Sequence, residues 1–162
     1  MIKGYKAFYK GLVNQFGERY ELNLTYKTNS IIYARKGFYF CPYLEDTLRY
    51  YNGLENEIEI ALVEGSGEYR AFYDAYYDTE TIATTEIKIL KVLERKEIIK
   101  YAKTLNELRL CKFIRGYKLN EDEKIYFSEN YSQLIKDYIN YYQDNRKDIF
   151  VKKLKKGESY DK

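Results

Sequence analysis

Histidine is missing from the whole chain. That absence excludes every Ser-His-Asp, Cys-His or histidine-ligated metal mechanism built from within this chain. Cysteine is nearly as scarce: Cys41 and Cys111 stand alone and far apart, with no second pair to make a disulfide framework or a zinc knuckle. Both are expected to be reduced thiols. No apolar run approaches the roughly 20 residues that span a bilayer. The opening Met1-Ile2-Lys3-Gly4-Tyr5 has neither the apolar core nor the small-residue cleavage site of a signal peptide. The expected compartment is a bacterial-type cytoplasm.

Tyrosine, by contrast, occurs 21 times. Nucleotide bias toward A and T accounts for this abundance together with that of Lys, Ile and Asn. It still leaves a surface suited to partners, because tyrosine offers rigid, amphipathic contact area. At 162 residues and 45% hydrophobic, the chain has enough material for one domain with a true core and a small helical appendage.

The densest information lies between Lys36 and Tyr51. Gly37 allows a tight entry or close backbone approach, Phe38 to Cys41 is an aromatic run of strand type, and Pro42, the sole proline, suits the first turn of a helix. That helix is expected to run to about Tyr51 and to close at Asn52-Gly53, two residues that tolerate the left-handed conformation.

Before this stretch, Lys3 to Lys10 reads as a first strand. Tyr20, Leu22, Leu24 and Tyr26 then alternate with polar residues at the period of a half-buried strand. After it, Glu57 to Glu64 is strand-like and bounded by Gly65-Ser66-Gly67, whose small residues suit a turn. Glu68 to Tyr77 reads as a strand or hairpin return, although its pattern also permits a short helix. The β-branched residues from Thr81 to Leu93 predict a long final strand.

Helical patterns take over near Glu94. Ile98, Ile99 and Ala102 share one side, Thr104-x-x-Glu107 has the form of a capping box, and Gly116 is the expected stop. Asn120 with Glu123 forms a second cap signature, followed by a stripe from Tyr131 to Tyr142 at helical spacing. The expected fold is α+β: a twisted, mainly antiparallel sheet carrying the Pro42 helix, followed by C-terminal helices that cover the sheet or project as a partner surface. The expected divisions are an α+β core domain over 1–93, a helical extension over 94–145 and a basic tail over 146–162. After Asn145 seven basic residues face three acidic ones. Lys152, Lys153, Lys155 and Lys156 are the candidates for steering an acidic partner or nucleic acid.

The run Gly37-Phe38-Tyr39-Phe40-Cys41 resembles a family of uncharacterised phage and prophage proteins whose centre reads Gly-Phe-His-Phe-Cys. The likeness extends over about the first 93 residues, through Gly4-Tyr5-Lys6-Ala7-Phe8, Tyr50-Tyr51, the Glu59-to-Gly65 strand and the segment from Ile82 to Ile89. Tyr39 departs from the family's histidine. The resemblance implies a small accessory protein without a cofactor that binds and inhibits a bacterial host protein or nucleoprotein, as an anti-defence inhibitor of the anti-CRISPR type would.

The same run is similar to the central motif of polymerase-type ADP-ribosyltransferases, in which Gly-[Ile/Val]-Tyr-Phe is followed at fixed distance by a serine and then a tyrosine. Thr47 and Tyr50 stand at those spacings. This second resemblance implies NAD as cofactor, with Tyr39 forming the nicotinamide pocket, Thr47 binding the carboxamide and Tyr50 stacking on the ring. The transferase also needs a carboxylate for the ribose, for which Glu86, or Glu80 just before that strand, is available. Where that family's first strand supplies a histidine or arginine, this chain has Lys6.

Overall fold

The computed structural model describes residues 1–145. The fold is α+β. Five strands, β1 (Ile2–Tyr9), β2 (Thr25–Lys27), β3 (Phe38–Phe40), β4 (Ile58–Asp74) and β5 (Thr79–Val92), form one antiparallel sheet. The order is β1-β4-β5-β2, with β3 also pairing on β5. A one-turn helix, α1 (Leu44–Thr47), follows β3, and four helices follow the sheet: α2 (Arg95–Ala102), α3 (Glu107–Ile114), α4 (Glu121–Asn130) and α5 (Gln133–Tyr138). The last runs on as a π-helical turn, Ile139–Asn145.

The sheet curls until its ends meet. Just past β3, Cys41 exchanges two backbone hydrogen bonds with Tyr5 of β1, at 2.7 and 2.8 Å. β3 is therefore bonded to β5 on one side and linked to β1 on the other. Phe40, fully buried, fills the inside of the curl with Phe8, Val63, Ile87 and Ile89. Glycine makes room for it: a β-carbon on Gly4 or on Gly65 would lie 2.6 Å from the Phe40 ring.

A second apolar cluster joins the outer face of the sheet, through Ala7 and Ile60, to Leu44 and Leu48 and to Ile98, Phe113, Phe127 and Ile135 of the helices. The helical pattern read for Ile98, Ile99 and Ala102 is the buried face of α2, and Asn120 and Glu123 cap α4 reciprocally.

Several local expectations are corrected. The Tyr20–Tyr26 alternation yields only the three residues of β2, because Asn23 takes a positive φ of 63° and breaks the run after a single Leu22–Ile89 bridge. Gly65-Ser66-Gly67 is no turn: β4 continues through it with a bulge, Gly67 at φ 79° and Thr85 facing both Gly67 and Glu68. The hairpin turns at residues 75–78 instead, where the Asp74 carboxylate accepts the N–H groups of Tyr76 and Tyr77. The helix after Pro42 stops at Thr47 rather than near Tyr51. Gly53 has no positive φ; it is needed for close approach, since its N–H donates to the Gly116 carbonyl at 2.7 Å and a β-carbon there would lie 2.8 Å from that oxygen. The cap of α3 is Asn106, whose side chain accepts the Arg109 N–H, while Thr104 bonds back to the Tyr101 carbonyl.

Because Phe40 occupies the space over Gly65, Gly65→Ala should overpack the curl and cost roughly 1–3 kcal/mol. Urea denaturation should show a lower midpoint at unchanged slope. Phe40→Leu in the same background should return part of the loss, and an unaltered midpoint for Gly65→Ala would mean that Phe40 is not confined as described.

Candidate functional site: an aromatic cleft

Where the curl joins β1 to β3, a cleft of about 1000 Å³ opens between β1, β3, the α1 segment and the β4–β5 hairpin. Tyr39, Thr47 and Tyr50 all line it, together with Lys6, Arg49 and Phe72. Glu80 and Glu86 do not line it.

Each side chain has a defined partner. The Tyr39 hydroxyl donates to the Ile32 carbonyl at 3.0 Å and accepts the Ala34 N–H at 3.1 Å, so it clamps the loop before β3. Its ring lies stacked beside Phe72, centroids 6.4 Å apart. Thr47 is 2% exposed, and its hydroxyl donates to the Leu44 carbonyl at 2.7 Å. Tyr50 presents more of its ring, with its hydroxyl 3.2 Å from that of Thr81 and the Arg49 guanidinium 5.2 Å from its centroid. Arg49 also pairs with Asp74 at 3.0 Å and sits 3.9 Å over Tyr77.

Glu86 stands on β5 away from the cleft, accepting from Ser66 at 2.9 Å and facing Lys27 at 3.3 Å. The Ser66 hydrogen bond, and then Lys27, hold its carboxyl below the usual range. Glu80 pairs with Tyr73 across the hairpin, and its backbone N–H donates to Asp46 at 3.2 Å. The four lysines of the tail, Lys152, Lys153, Lys155 and Lys156, lie outside the described residues.

Lys6 projects from the face of β1 that faces the inside of the curl. Its ammonium donates to the Tyr39 carbonyl at 2.5 Å and lies 5.6 Å from the Phe8 ring centroid. No carboxylate pairs with it among the described residues. Burial disfavours the charged form and pushes its pKa down to about 8. Cys41 beside it is buried, and desolvation, helped by Asp46, pushes its thiol up to about 12. At 2% exposure it sits among the core residues. Among the described residues no group of three or more Cys, Asp or Glu side chains is placed to hold a metal.

Sequence reasoning missed Arg49, Tyr33, Phe72 and Tyr73 as cleft residues. Phe72 and Tyr73 belong to the hairpin, which enters only because β4 runs through the Gly65-Ser66-Gly67 segment. Tyr33 reaches the cleft through a loop that the Tyr39 hydroxyl holds.

The lowered Lys6 pKa makes a prediction with a definite sign. Between pH 8 and the ordinary value of 10.5 the unfolded chain holds more protons at this residue than the folded one. The contribution of Lys6 therefore makes the fold more stable as pH rises through that window. Cys41, the buried Tyr51 and the half-buried Tyr5 and Tyr101, all with raised values, act in the opposite direction at alkaline pH. The difference between Lys6→Met and the unaltered chain isolates the effect. Urea midpoints should show the variant's advantage shrinking from pH 7 to pH 10, and a constant difference would mean that Lys6 is solvated in the fold.

Residues 2–101 match the family model described as a domain of unknown function (DUF7666), a span running from β1 to the penultimate residue of α2. No curated protein and no solved structure matches the chain. No helix among the described residues is long and apolar enough to cross a membrane. Since the matched span is more than half of the chain and contains every strand of the curled sheet with its cleft, this protein belongs to the DUF7666 family.

Proposed function

We propose that the protein is a binding protein and not an enzyme: a small phage- or prophage-type accessory protein that engages a bacterial host protein or nucleoprotein in the cytoplasm and inhibits it. An anti-defence role, such as blocking CRISPR interference, is the form of inhibition proposed. The observation that carries this reading is the set of exposed rings around the cleft mouth and on the adjoining hairpin tip. Tyr33 is 70% exposed, Tyr73 60% and Tyr76 87%. Their neighbours hold them in place: Tyr33 packs on Phe72 at 5.1 Å, Tyr76 on Tyr77 at 4.7 Å, and the Tyr73 hydroxyl donates to Asp78 at 2.7 Å. Pre-ordered tyrosines lose little conformational entropy on docking and supply the kind of contact that dominates protein interfaces.

The test is affinity capture from bacterial lysate with the full chain and with Tyr33→Ser/Tyr76→Ser. The unaltered chain should retain a specific partner that the variant loses by tenfold or more in affinity, on the order of one hot-spot ring. Equal retention by both, or no retained partner, overturns the reading. Changing Lys152, Lys153, Lys155 and Lys156 to Gln should lower the association rate and flatten its salt dependence if the tail steers the encounter.

A second reading, an NAD-dependent ADP-ribosyltransferase, is favoured by one observation, that Tyr39, Thr47 and Tyr50 line the same cleft. The open Tyr50 ring suits stacking on nicotinamide. The hydroxyls of Tyr39 and Thr47 are already bonded to backbone, and Glu86 is tied to Ser66 and Lys27 outside the cleft. Calorimetry decides it. Binding at millimolar NAD that Tyr50→Ala removes, with transfer activity lost on the order of 100-fold in Glu86→Gln but not in Glu80→Gln, would favour the transferase over the binding protein.

A further inference from the structure

β1 and the β3 segment meet at one point. Tyr5 and Cys41 exchange their two backbone hydrogen bonds, and no other bridge joins these segments. A regular antiparallel ladder would next pair Ala7 with Tyr39. Instead the Lys6 ammonium donates to the Tyr39 carbonyl at 2.5 Å, and the strands part. Backbone groups two residues apart on a strand turn to the same side. The Ala7 N–H therefore faces this opening as Tyr5 faces Cys41, while the carbonyl of Ile60, opposite Ala7 on β4, goes to Leu93.

An ammonium carries three N–H donors. Lys6 spends one on Tyr39, and among the described residues no carboxylate takes another. The charge around it is also unbalanced: Lys6, Arg35, Lys36 and Arg49 line the cleft against Glu18 and Asp74. Both carboxylates are engaged, Asp74 by Arg49 at 3.0 Å and Glu18 by the Asn14 side chain at 3.2 Å. A half-buried cation with donors unspent is completed by an anion.

The neighbours set the charge and shape of that anion. One ammonium neutralises one charge, so a carboxylate fits. A phosphate monoester, at about −1.5 to −2, would leave charge uncompensated in surroundings that already desolvate Lys6. Tyr39 links the ammonium to the rings. Its carbonyl holds Lys6 while its ring stacks beside Phe72, centroids 6.4 Å apart, and the open Tyr50 ring lines the same cleft. Flat apolar walls select a flat apolar body.

We propose that the opening between β1 and β3 binds a small aromatic carboxylic acid, its carboxylate taken by the Lys6 ammonium and the Ala7 N–H and its ring laid against the aromatic wall of the cleft. The site uses neither Tyr33 nor Tyr76, so it stands or falls apart from the capture of a host partner by those rings.

Calorimetric titration of the full chain at pH 7 tests it with small probes. Benzoate should bind at concentrations on the order of millimolar. Benzamide keeps the ring without the charge, and phenyl phosphate exchanges the monoanion for a dianion. A glutamate capped at both ends supplies the carboxylate, as a protein partner would, without the ring. Each of these three should bind more weakly than benzoate, on the order of tenfold or more. Lys6→Met and Lys6→Gln, with circular dichroism to show that they fold, should each lose benzoate affinity on the order of tenfold or more. Because glutamine keeps a donor for the Tyr39 carbonyl, its loss reports the charge. Should neither variant fold, the ranking of probes on the unaltered chain decides alone. Absence of benzoate binding overturns the inference. So does any of the other three probes binding as tightly as benzoate, or a folded Lys6 variant with unchanged benzoate affinity.

Discussion

The burial of Phe40 between two glycines is the constraint from which the architecture follows. A β-carbon at Gly4 or Gly65 would occupy the space of its ring, so only a chain with bare backbone at both positions can bring β1, β4 and β3 around one aromatic side chain. With Phe40 seated, Cys41 reaches Tyr5 and the sheet curls onto itself. The cleft is the remaining gap in that closure, and Lys6 faces it because it lies on the same side of β1 as Gly4 and Phe8. The desolvation of Lys6 thus comes from the same packing that shapes the curl.

The helical layer is coupled to this curl by buried charge. Asp46, fully buried, accepts from Arg109 at 3.1 Å and from Lys112, both on α3, and takes the Glu80 N–H of the hairpin. Lys112 also donates to the Asp78 carbonyl at the hairpin turn. Glu45, likewise buried, accepts from the Tyr101 hydroxyl of α2 at 2.8 Å, and desolvation raises its pKa. A four-residue helix has little stability of its own. Here it persists because two carboxylates that would be costly to bury alone find their partners on three other elements. The hairpin carrying the exposed rings is held through the same cluster.

The α+β class, β1, β3, β5, α2 and the α4 cap were legible because each rests on a local signal: aromatic or β-branched runs, apolar spacing, or an Asn-x-x-Glu box. The errors share a cause. Gly65, Gly67 and Gly53 were read for the conformations that glycine permits, whereas Gly65 and Gly53 answer mainly to neighbours 25 or more residues away, Phe40 and Gly116. The Tyr20–Tyr26 alternation predicted a continuous strand, whereas the sheet meets it at the Leu22–Ile89 bridge and then only from Thr25 onward. The spacing of Tyr39, Thr47 and Tyr50 placed three residues beside one cleft. It carried no information on how their hydroxyls are used, since the acceptors at Ile32 and Leu44 depend on loop and helix geometry. Arg49 and Phe72 were beyond any local pattern, because the hairpin brings Phe72 to the cleft from far along the chain.

The approach of Gly53 to Gly116 also bears on inheritance. Gly53 lies inside the span shared with the family, Gly116 outside it. The first meets the second backbone to backbone, and a β-carbon on Gly116 would lie 2.6 Å from that of Leu48. Neither position can gain a side chain without displacing the other segment. A helical continuation can seat against this sheet in the same way only by bringing bare backbone to the notch formed by Leu48 and Gly53.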